Sequence, residues 1–107
     1  MPEITAQEAA LIGKALGDPT RLGIYSYIAN RRGELFCGEV GDCCGLSMAT
    51  ISHHLRVLTQ AGLISSRRSG QFIFYRAIRG RLAEYRKFLS NFGGKAVASQ
   101  RKHKLSK

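Results

Sequence analysis

Residues 45–58 read GLSMATISHHLRVL, and this stretch decides the fold. Ser47 is a favoured helix N-cap, so a helix should begin just after it. Apolar residues then recur at helical spacing on one face, at Ile51, Leu55, Leu58 and Ala61. Gly62 follows as the residue that ends the helix. The pattern predicts an amphipathic helix that buries one face and exposes the other.

The chain just before this helix contains a tight turn, Cys44-Gly45-Leu46-Ser47. Residues 35–45 contain three glycines, which are costly inside a helix. We therefore predict a short, marginal helix from about Phe36 to Cys44. Two helices joined by such a turn form a helix-turn-helix, a motif that puts its second helix into the major groove of duplex DNA.

The exposed face of the predicted second helix is small, polar and rich in hydrogen-bonding groups. No acidic residue lies between Ser47 and Leu63, so nothing on this face repels phosphate. Hydroxyl and arginine contacts set the register on the DNA backbone, and contacts to base edges supply sequence preference. Adjacent helical residues point about 100° apart, so one histidine should face DNA while the other packs or contacts phosphate. The predicted DNA-binding residues of this helix are Ser47, Met48, Ala49, Thr50, Ser52, His53, His54 and Arg56.

Two helices are predicted upstream of the motif. Thr5 and Glu8 have the spacing of a capping box, which predicts a first helix from about residue 6 to Gly17. Asp18-Pro19 marks a second start, because Asp accepts from first-turn amides and Pro suits the first helical position. Residues 30–33 should end this second helix. Its predicted apolar face consists of Leu22, Tyr25, Ile28 and Ala29.

The period changes from helix to strand after Gly62. Leu63–Arg68 and Gln71–Ile78 are short runs rich in Ile, Phe and Tyr, and Ser69-Gly70 between them predicts a β-hairpin. Helical spacing returns over residues 80–92, through Leu82, Tyr85, Leu89 and Phe92. The hairpin tip adds three predicted DNA contacts, Arg67, Arg68 and Gln71. The fold class is therefore α+β, mainly helical with a β-hairpin wing.

The charge of the chain is strongly basic and unevenly distributed. The 107 residues carry a net charge of +10, and residues 67–107 hold twelve Lys or Arg against one acid, Glu84. Such a one-sided excess is typical of proteins that bind a polyanion. We expect one domain over residues 1–94 and a basic, disordered tail over residues 95–107. Since the sequence has no run of 18 apolar residues and no signal-peptide pattern, we expect a cytoplasmic protein without a membrane partner.

Taken together, these segments resemble the ArsR/SmtB-type repressors, the arsenic- and metal-responsive winged helix proteins of bacteria. The resemblance runs from about residue 8 to residue 92. It implies a homodimer joined by its first and last helices, with the helix from Ser47 to Thr59 in the major groove and the hairpin as the wing. It also implies a repressor whose inducer lowers its affinity for a DNA operator. The segments that carry it are Leu16–Leu22 (LGDPTRL), Gly45–Leu58, Ala61–Ile64 (AGLI) and the strand ending Phe74-Tyr75-Arg76.

The chain departs from that family at the arsenic-binding position. There the arsenic sensors carry a Cys-x-Cys pair, whereas the matching positions here hold Phe36 and Gly38, with Cys37 between them. The Asp and His ligands of the zinc- and nickel-type site are also absent from residues 80–92.

Three thiols remain for other roles, those of Cys37, Cys43 and Cys44. They fit buried structural residues, a site for As(III), zinc or Cu(I), or redox sensing. In a regular helix Cys37 and Cys44 stand about 10 Å apart along the axis. This separation is too large for one ion, so a shared site would need a broken helix or ligands from elsewhere.

Other classes of function fit the sequence less well. The chain has no recognisable catalytic constellation and no glycine-rich phosphate loop, so we do not expect an enzyme. An RNA-binding winged helix is the nearest alternative, because a basic surface serves either polymer. An interaction module that does not read DNA would need a damaged recognition face, whereas the donors of this one are intact. The inducer could also act without any cysteine.

Overall fold

Five helices and a three-stranded sheet make up the described part of the chain. The computed structural model describes residues 3–92, except for the side chains of residues 42–44. The predicted basic tail, residues 95–107, lies outside the described residues. The elements are α1 (Ala6–Leu16), α2 (Pro19–Ala29), β1 (Leu35–Phe36), α3 (Cys37–Cys44), α4 (Met48–Gln60), β2 (Ile64–Ser69), β3 (Phe72–Ala77) and α5 (Arg79–Ser90).

The first two helices begin where their caps predict. Thr5 accepts from the Glu8 amide at 3.0 Å, and the Glu8 carboxylate accepts from the Thr5 amide at 2.8 Å, which closes the capping box. Asp18 accepts from the Arg21 amide at 2.8 Å, and Pro19 is the first residue of α2. These hydrogen bonds satisfy amides that a helix leaves free in its first turn.

The buried face of α2 differs from the predicted one at Leu22. This side chain is 47% exposed, and the buried positions of the helix are Ile24, Tyr25 and Ile28. Leu22 lies about 120° around the helix from Ile28, so the prediction that it belongs to the core is wrong. The core-facing stripe instead runs through Ile24 and Ile28, which are four residues apart.

A strand that the sequence pattern did not predict precedes α3. Leu35 and Phe36 form β1 and pair antiparallel with β3, opposite Tyr75 and Phe74. As a result α3 begins at Cys37, one residue later than predicted. Two residues are too few for an alternating pattern, so only the partner strand identifies β1.

The turn between α3 and α4 is the predicted one. Gly45 ends α3 with a φ of 66°, a left-handed conformation that glycine adopts without strain. Ser47 then caps α4 by accepting from the Thr50 amide at 3.2 Å. The helix-turn-helix is therefore fixed by local hydrogen bonds at both sides of the turn.

The hairpin is present, but its turn lies one residue later than predicted. Ser69 pairs with Phe72, so the two connecting residues are Gly70 and Gln71 rather than Ser69 and Gly70. Gly70 has a φ of 63°, which suits the first position of a two-residue turn. The strand order β1-β3-β2 puts β3 in the middle of the sheet. The predicted bounds of the strands and of the last helix differ from the observed ones by one or two residues.

The hydrophobic core lies between the helices and the base of the sheet. α5 contributes least to it, since none of its residues is buried, and Leu82, Tyr85 and Phe88 pack against the core from one side only. Within residues 3–92, no helix is both long and apolar enough to cross a membrane. The large side chains that are fully buried are Ile12, Ile24, Ile28, Leu35, Val40, Ile51, Leu55, Leu58, Leu63 and Ile64.

Candidate nucleic-acid interface

α4 has one buried and one exposed face, as predicted. Its buried residues are Ile51, Leu55 and Leu58. Of the predicted DNA-binding residues on and before this helix, only His54 is half-buried. Because the remaining ones carry neutral or basic groups, the face presents hydrogen-bonding groups without a charge that would repel phosphate. These exposed residues are Ser47, Met48, Ala49, Thr50, Ser52, His53 and Arg56.

The start of α4 presents two hydroxyls that are already joined. The Ser47 hydroxyl donates to Oγ1 of Thr50 at 3.0 Å and accepts from the Thr50 amide. The Thr50 hydroxyl proton then remains available for an outside acceptor such as a phosphate oxygen. Ser52 has no side-chain hydrogen bond within the described residues, so its hydroxyl is available to a base edge or a phosphate.

The two histidines of α4 have different surroundings. Arg21 of α2 donates from Nη1 to Nδ1 of His54 at 3.2 Å. The same guanidinium donates to the carbonyls of Ala15 at 2.7 Å and Lys14 at 3.2 Å, at the end of α1. Since a guanidinium only donates, Nδ1 of His54 is the acceptor of this hydrogen bond. His53 is exposed, with its ring centroid 5.6 Å from that of His54.

The wing holds one of its two predicted arginines in an internal ion pair. Arg67 donates to Glu34 from Nε at 2.8 Å and from Nη2 at 2.7 Å, and its guanidinium lies 4.9 Å from the Phe74 ring centroid. The hydrogen bonds from Arg67 lower the pKa of the Glu34 carboxyl below its ordinary value. Arg68 and Gln71 are exposed. The wing therefore offers Arg68 and Gln71 to a ligand, whereas Arg67 is already engaged.

Glu34, the ion-pair partner of Arg67 in the wing, is a residue that the sequence reasoning missed. It lies 33 positions before Arg67, so neither helix periodicity nor hairpin pairing connects the two residues. Its contact depends on β1, which brings the chain after α2 alongside β3. A prediction of β1 would have been the only sequence signal for this ion pair.

Phe36 and Gly38, which the family resemblance matches to the Cys-x-Cys pair of the arsenic sensors, pack against each other in this chain. The ring of Phe36 contacts Phe72 edge to face at 5.3 Å between centroids and lies 5.9 Å from Phe74. A Cβ on Gly38 would lie 2.7 Å from the Phe36 ring, so the glycine makes room for it. Cys37 is partly buried against the core, and burial raises the pKa of its thiol. A raised pKa favours the protonated thiol, which is a poor nucleophile and a poor ligand.

The predicted thiol site for a metal or an oxidant remains a prediction. Within the described part of the chain, no three His, Cys, Asp or Glu side chains lie close enough together to hold a metal ion. The side chains of Cys43 and Cys44 lie outside the described residues. Cys37 is therefore the one predicted thiol whose surroundings are known, and they are those of a packing residue.

Comparisons with known proteins agree with the helix-turn-helix geometry. Residues 16–67 match the helix-turn-helix domain family. The transcriptional repressor SdpR of Bacillus subtilis is 42% identical over 62 residues, which are 58% of this chain and 67% of that protein. The arsenic resistance transcriptional regulator ArsR1 of Pseudomonas putida is 41% identical over 66 residues, 62% of this chain and 51% of that protein. This chain belongs to the ArsR family of transcriptional regulators.

A solved ArsR-family structure has the same fold as this chain. The ArsR-like transcriptional regulator from Rhodococcus sp. RHA1 superposes with a TM-score of 0.74 at 27% identity, covering 87% of this chain and 86% of that one. The resemblance to ArsR-type proteins, the winged helix-turn-helix fold and the assignment as a DNA-binding transcriptional regulator are thereby confirmed. ArsR-family proteins act by binding DNA and are not enzymes.

Proposed function

We propose that this ArsR-family protein is a homodimeric repressor that binds a specific duplex operator. The observation that carries the proposal is the exposed, acid-free face of α4, which begins at the capped Ser47 and lies opposite the buried Leu55 and Leu58. A helix of this kind, standing after a tight turn, fits the major groove. The β2–β3 hairpin, with Arg68 and Gln71 exposed, is suited to the adjacent minor groove or its phosphates.

The roles of the α4 residues follow from their chemistry and exposure. Ser52, His53 and Arg56 are the exposed donors that can read base edges. Ser47 and Thr50, at the first turn, suit phosphate contacts that set the register of the helix on the backbone. Met48 and Ala49 offer apolar contact, which thymine methyl groups accept. His54, held by Arg21, serves mainly to fix α4 against α2.

The homodimer is proposed from the apolar groups that one copy leaves uncovered. α5 buries none of its residues; Leu89 in its last turn is 43% exposed, and Phe92, two residues after the helix, is 63% exposed. Leu11 of α1 is also exposed, and α1 contacts α5 through the ion pair of Glu8 and Arg81. Packing these groups against a second copy would bury them, and it would carry two α4 helices to successive major grooves, about one DNA turn or a small multiple apart.

The second part of the proposal concerns the inducer. The name of the Pseudomonas relative associates that protein with arsenic resistance. In the present chain Phe36 and Gly38 pack where the arsenic sensors have cysteines, so a thiophilic ion such as As(III) or Zn(II), or a thiol oxidant, would have to act through Cys43 and Cys44. We infer that Cys37 is structural, because it is partly buried and burial raises the pKa of its thiol.

Fluorescence anisotropy with a duplex from the region upstream of the protein's own gene tests the DNA-binding proposal. We expect the Ser52→Ala, His53→Ala double variant to bind this duplex at least about tenfold more weakly, since each lost base contact costs about 1–3 kcal/mol. Its binding to a scrambled duplex should be unchanged. Gln60→Ala, an exposed change in the last turn of the same helix, is the control and should bind as the wild type does.

Two outcomes would contradict this proposal. If the double variant keeps the affinity of the wild type for the upstream duplex, α4 is not the reading element. If a folded RNA binds more tightly than any duplex, the protein is an RNA-binding winged helix instead.

The same titration with As(III), Zn(II) or peroxide tests the inducer. A Cys37→Ser variant should release DNA as the wild type does, because this thiol is a packing group. A Cys43→Ser, Cys44→Ser variant should lose any release that these agents cause. Release that depends on Cys37 would overturn the assignment of this thiol as structural.

A further inference from the structure

A cavity of about 300 Å³ lies away from the α4 face, at the base of the wing. It opens between the loop after α2, the paired strand ends of β2 and β3, and the start of α5. Three of its lining residues are arginines, and the rest are small or apolar apart from one serine. The residues that matter for its chemistry are Arg31, Gly33, Ser65, Arg76 and Arg79.

We propose that this cavity is a binding site for a small phosphate-bearing molecule. Three arginines, from the loop after α2, from β3 and from the start of α5, line one cavity of small-molecule size. Guanidinium is the side chain whose planar fork matches phosphate, with up to two parallel hydrogen bonds. This proposal goes beyond the DNA-binding function, and it does not depend on α4.

The charge around the cavity fits a dianion. Arg31 has one acidic partner, Glu39, at 3.7 Å. Arg76 and Arg79 have no ion-pair partner within the described residues, so two positive charges remain around the cavity. Arg76 does help to lower the pKa of Glu34, but Glu34 is held by two hydrogen bonds from Arg67. A phosphate monoester carries about −1.5 to −2 near pH 7.

Two of the arginines are already positioned by the protein. Arg31 donates to the Tyr27 hydroxyl at 3.4 Å, and its guanidinium lies 5.9 Å from the centroid of that ring. Arg79 donates from Nη2 to the Arg31 carbonyl at 3.3 Å. These contacts restrict both side chains before any ligand binds, so less conformational freedom is lost on binding.

The cavity also has neutral donors beside its charges. Ser65 lies directly opposite Arg76 in the β2–β3 register, so its hydroxyl and that guanidinium stand on neighbouring strands. α5 begins at the rim with Ile78 as its N-cap, and no side chain caps its first amides. Its first turn holds no acidic residue, so the positive end of the helix dipole adds to the arginines.

The experiment is a titration of the DNA-free protein with inorganic phosphate and with phenyl phosphate, at an ionic strength held constant with chloride. Isothermal calorimetry gives the affinity for the wild type, for Arg76→Ala and for Arg86→Ala. Arg76 is exposed and has no described hydrogen bond, so its removal leaves the fold intact. Arg86 is an exposed arginine of α5 outside the cavity and loses the same charge.

We expect saturable binding to the wild type and to Arg86→Ala, and a loss of about tenfold or more in Arg76→Ala, because one charge-assisted contact is removed. Amide resonances of Gly33, Ala77 and Ile78 should shift during the wild-type titration. If all three proteins respond alike, the effect is the general attraction of a +10 chain for anions, and the proposal is wrong.

The DNA backbone is another source of phosphate groups. A second measurement distinguishes it from a free ligand. Should phosphate and phenyl phosphate fail to bind the wild type while Arg76→Ala weakens duplex binding, the cavity takes a backbone phosphate of DNA, and the proposal of a free ligand is overturned. Loss of operator binding in the α4 variants would leave this result untouched, because the phosphate titration contains no DNA.

Discussion

At the scale of single residues, the space around a helical glycine decides whether the glycine contributes to packing or only weakens its helix. A Cβ on Gly23, in α2, would have no heavy atom within 4 Å, whereas one on Gly38, in α3, would lie 2.7 Å from the Phe36 ring. Glycine is less favourable than alanine inside a helix by up to about 1 kcal/mol. Gly23 therefore only weakens its helix, while Gly38 also allows Phe36 to reach Phe72 and Phe74.

Alanine at these two positions should change stability in opposite directions. We expect Gly23→Ala to raise the free energy of unfolding by about 0.5–1 kcal/mol, since alanine restricts the unfolded chain. Gly38→Ala should lower it by about 1–3 kcal/mol, because the Phe36 ring must move out of its packed position. Urea unfolding followed by circular dichroism measures both. In a Phe36→Ala background, Gly38→Ala should lower the free energy of unfolding by less than it does in the wild type. An equal decrease in the two backgrounds would refute the steric explanation.

Residues that act on near neighbours in the chain were predictable from the sequence. Thr5, Asp18 and Ser47 cap their helices as predicted, because a cap and the amide it binds are three residues apart. Leu22 was not predictable in this way. Its exposure depends on the direction from which other helices approach α2. This direction cannot be read from the spacing of apolar residues within one helix.

At the scale of elements, the wing is tied to the chain that precedes α3. β1 pairs with β3, and Glu34, immediately before β1, binds Arg67 of β2. The aromatic contact of Phe36 with Phe74 lies beside this ion pair. These contacts join the hairpin to the segment directly before α3, and so couple the position of the hairpin to that of the helix-turn-helix.

The two wing arginines should consequently differ in their effect on DNA binding. Arg68→Ala should weaken specific and non-specific duplex binding alike and reduce the slope of log affinity against log salt by about one. Arg67→Ala should reduce that slope less, since Glu34 already neutralises this guanidinium. Anisotropy titrations at several salt concentrations measure both slopes. Equal slopes for the two variants would mean that Arg67 leaves Glu34 on binding DNA.

The ion pair also makes the wing's stability depend on pH. The pKa of Glu34 is lowered in the folded state by the hydrogen bonds from Arg67, so its stabilising effect is present above the carboxyl's unfolded pKa and is lost as pH falls through the lowered one. We expect Glu34→Gln to melt below the wild type at neutral pH and the gap to close in acid. Thermal melts at stepped pH test this, with Glu3→Gln as an exposed carboxyl control; a gap that persists in strong acid would assign the effect to packing.

Elements that depend on a distant partner were only partly predictable. The hairpin was predicted because its strands are close in sequence, yet its turn shifted by one residue, since Gly70 occupies the first turn position rather than the second. β1 was missed, and with it the Glu34 contact, because a two-residue strand exists only through its pairing with β3.

At the scale of the whole molecule, one copy of the chain leaves apolar groups uncovered along α1 and α5. Leu89 lies in the last turn of α5, Phe92 lies two residues after it, and Leu11 lies on α1. The exposed face of α4 was predictable from the sequence, because the residues outside the apolar stripe of an amphipathic helix face solvent. The role of the α5 surface was not predictable from periodicity. Apolar residues that contact a second copy recur along a helix at the same spacing as apolar residues that pack into the core.

Charge placed on this α5 surface should separate the two copies. We expect Leu89→Asp, Phe92→Asp to sediment as a monomer of 11.8 kDa and to lose operator affinity, because a single α4 contacts one half-site. Leu22→Asp is the matched control, since Leu22 is 47% exposed on α2 against 43% for Leu89. Analytical ultracentrifugation measures the mass, and a dimeric α5 variant would refute this interface.

The strand order has a consequence for solubility at high concentration. The run Phe72–Tyr75 is aromatic and β-branched, the kind of segment that stacks into cross-β aggregates when its edge is open. β2, whose sequence ISSRRS is polar and basic, pairs with β3 along its whole length and forms one outer edge of the sheet, whereas β1 covers the other side of β3 only opposite Phe74 and Tyr75. Charged edge strands discourage other chains from adding to a sheet. On its β2 side, the hairpin can therefore extend into solvent without acting as a template for the addition of another strand.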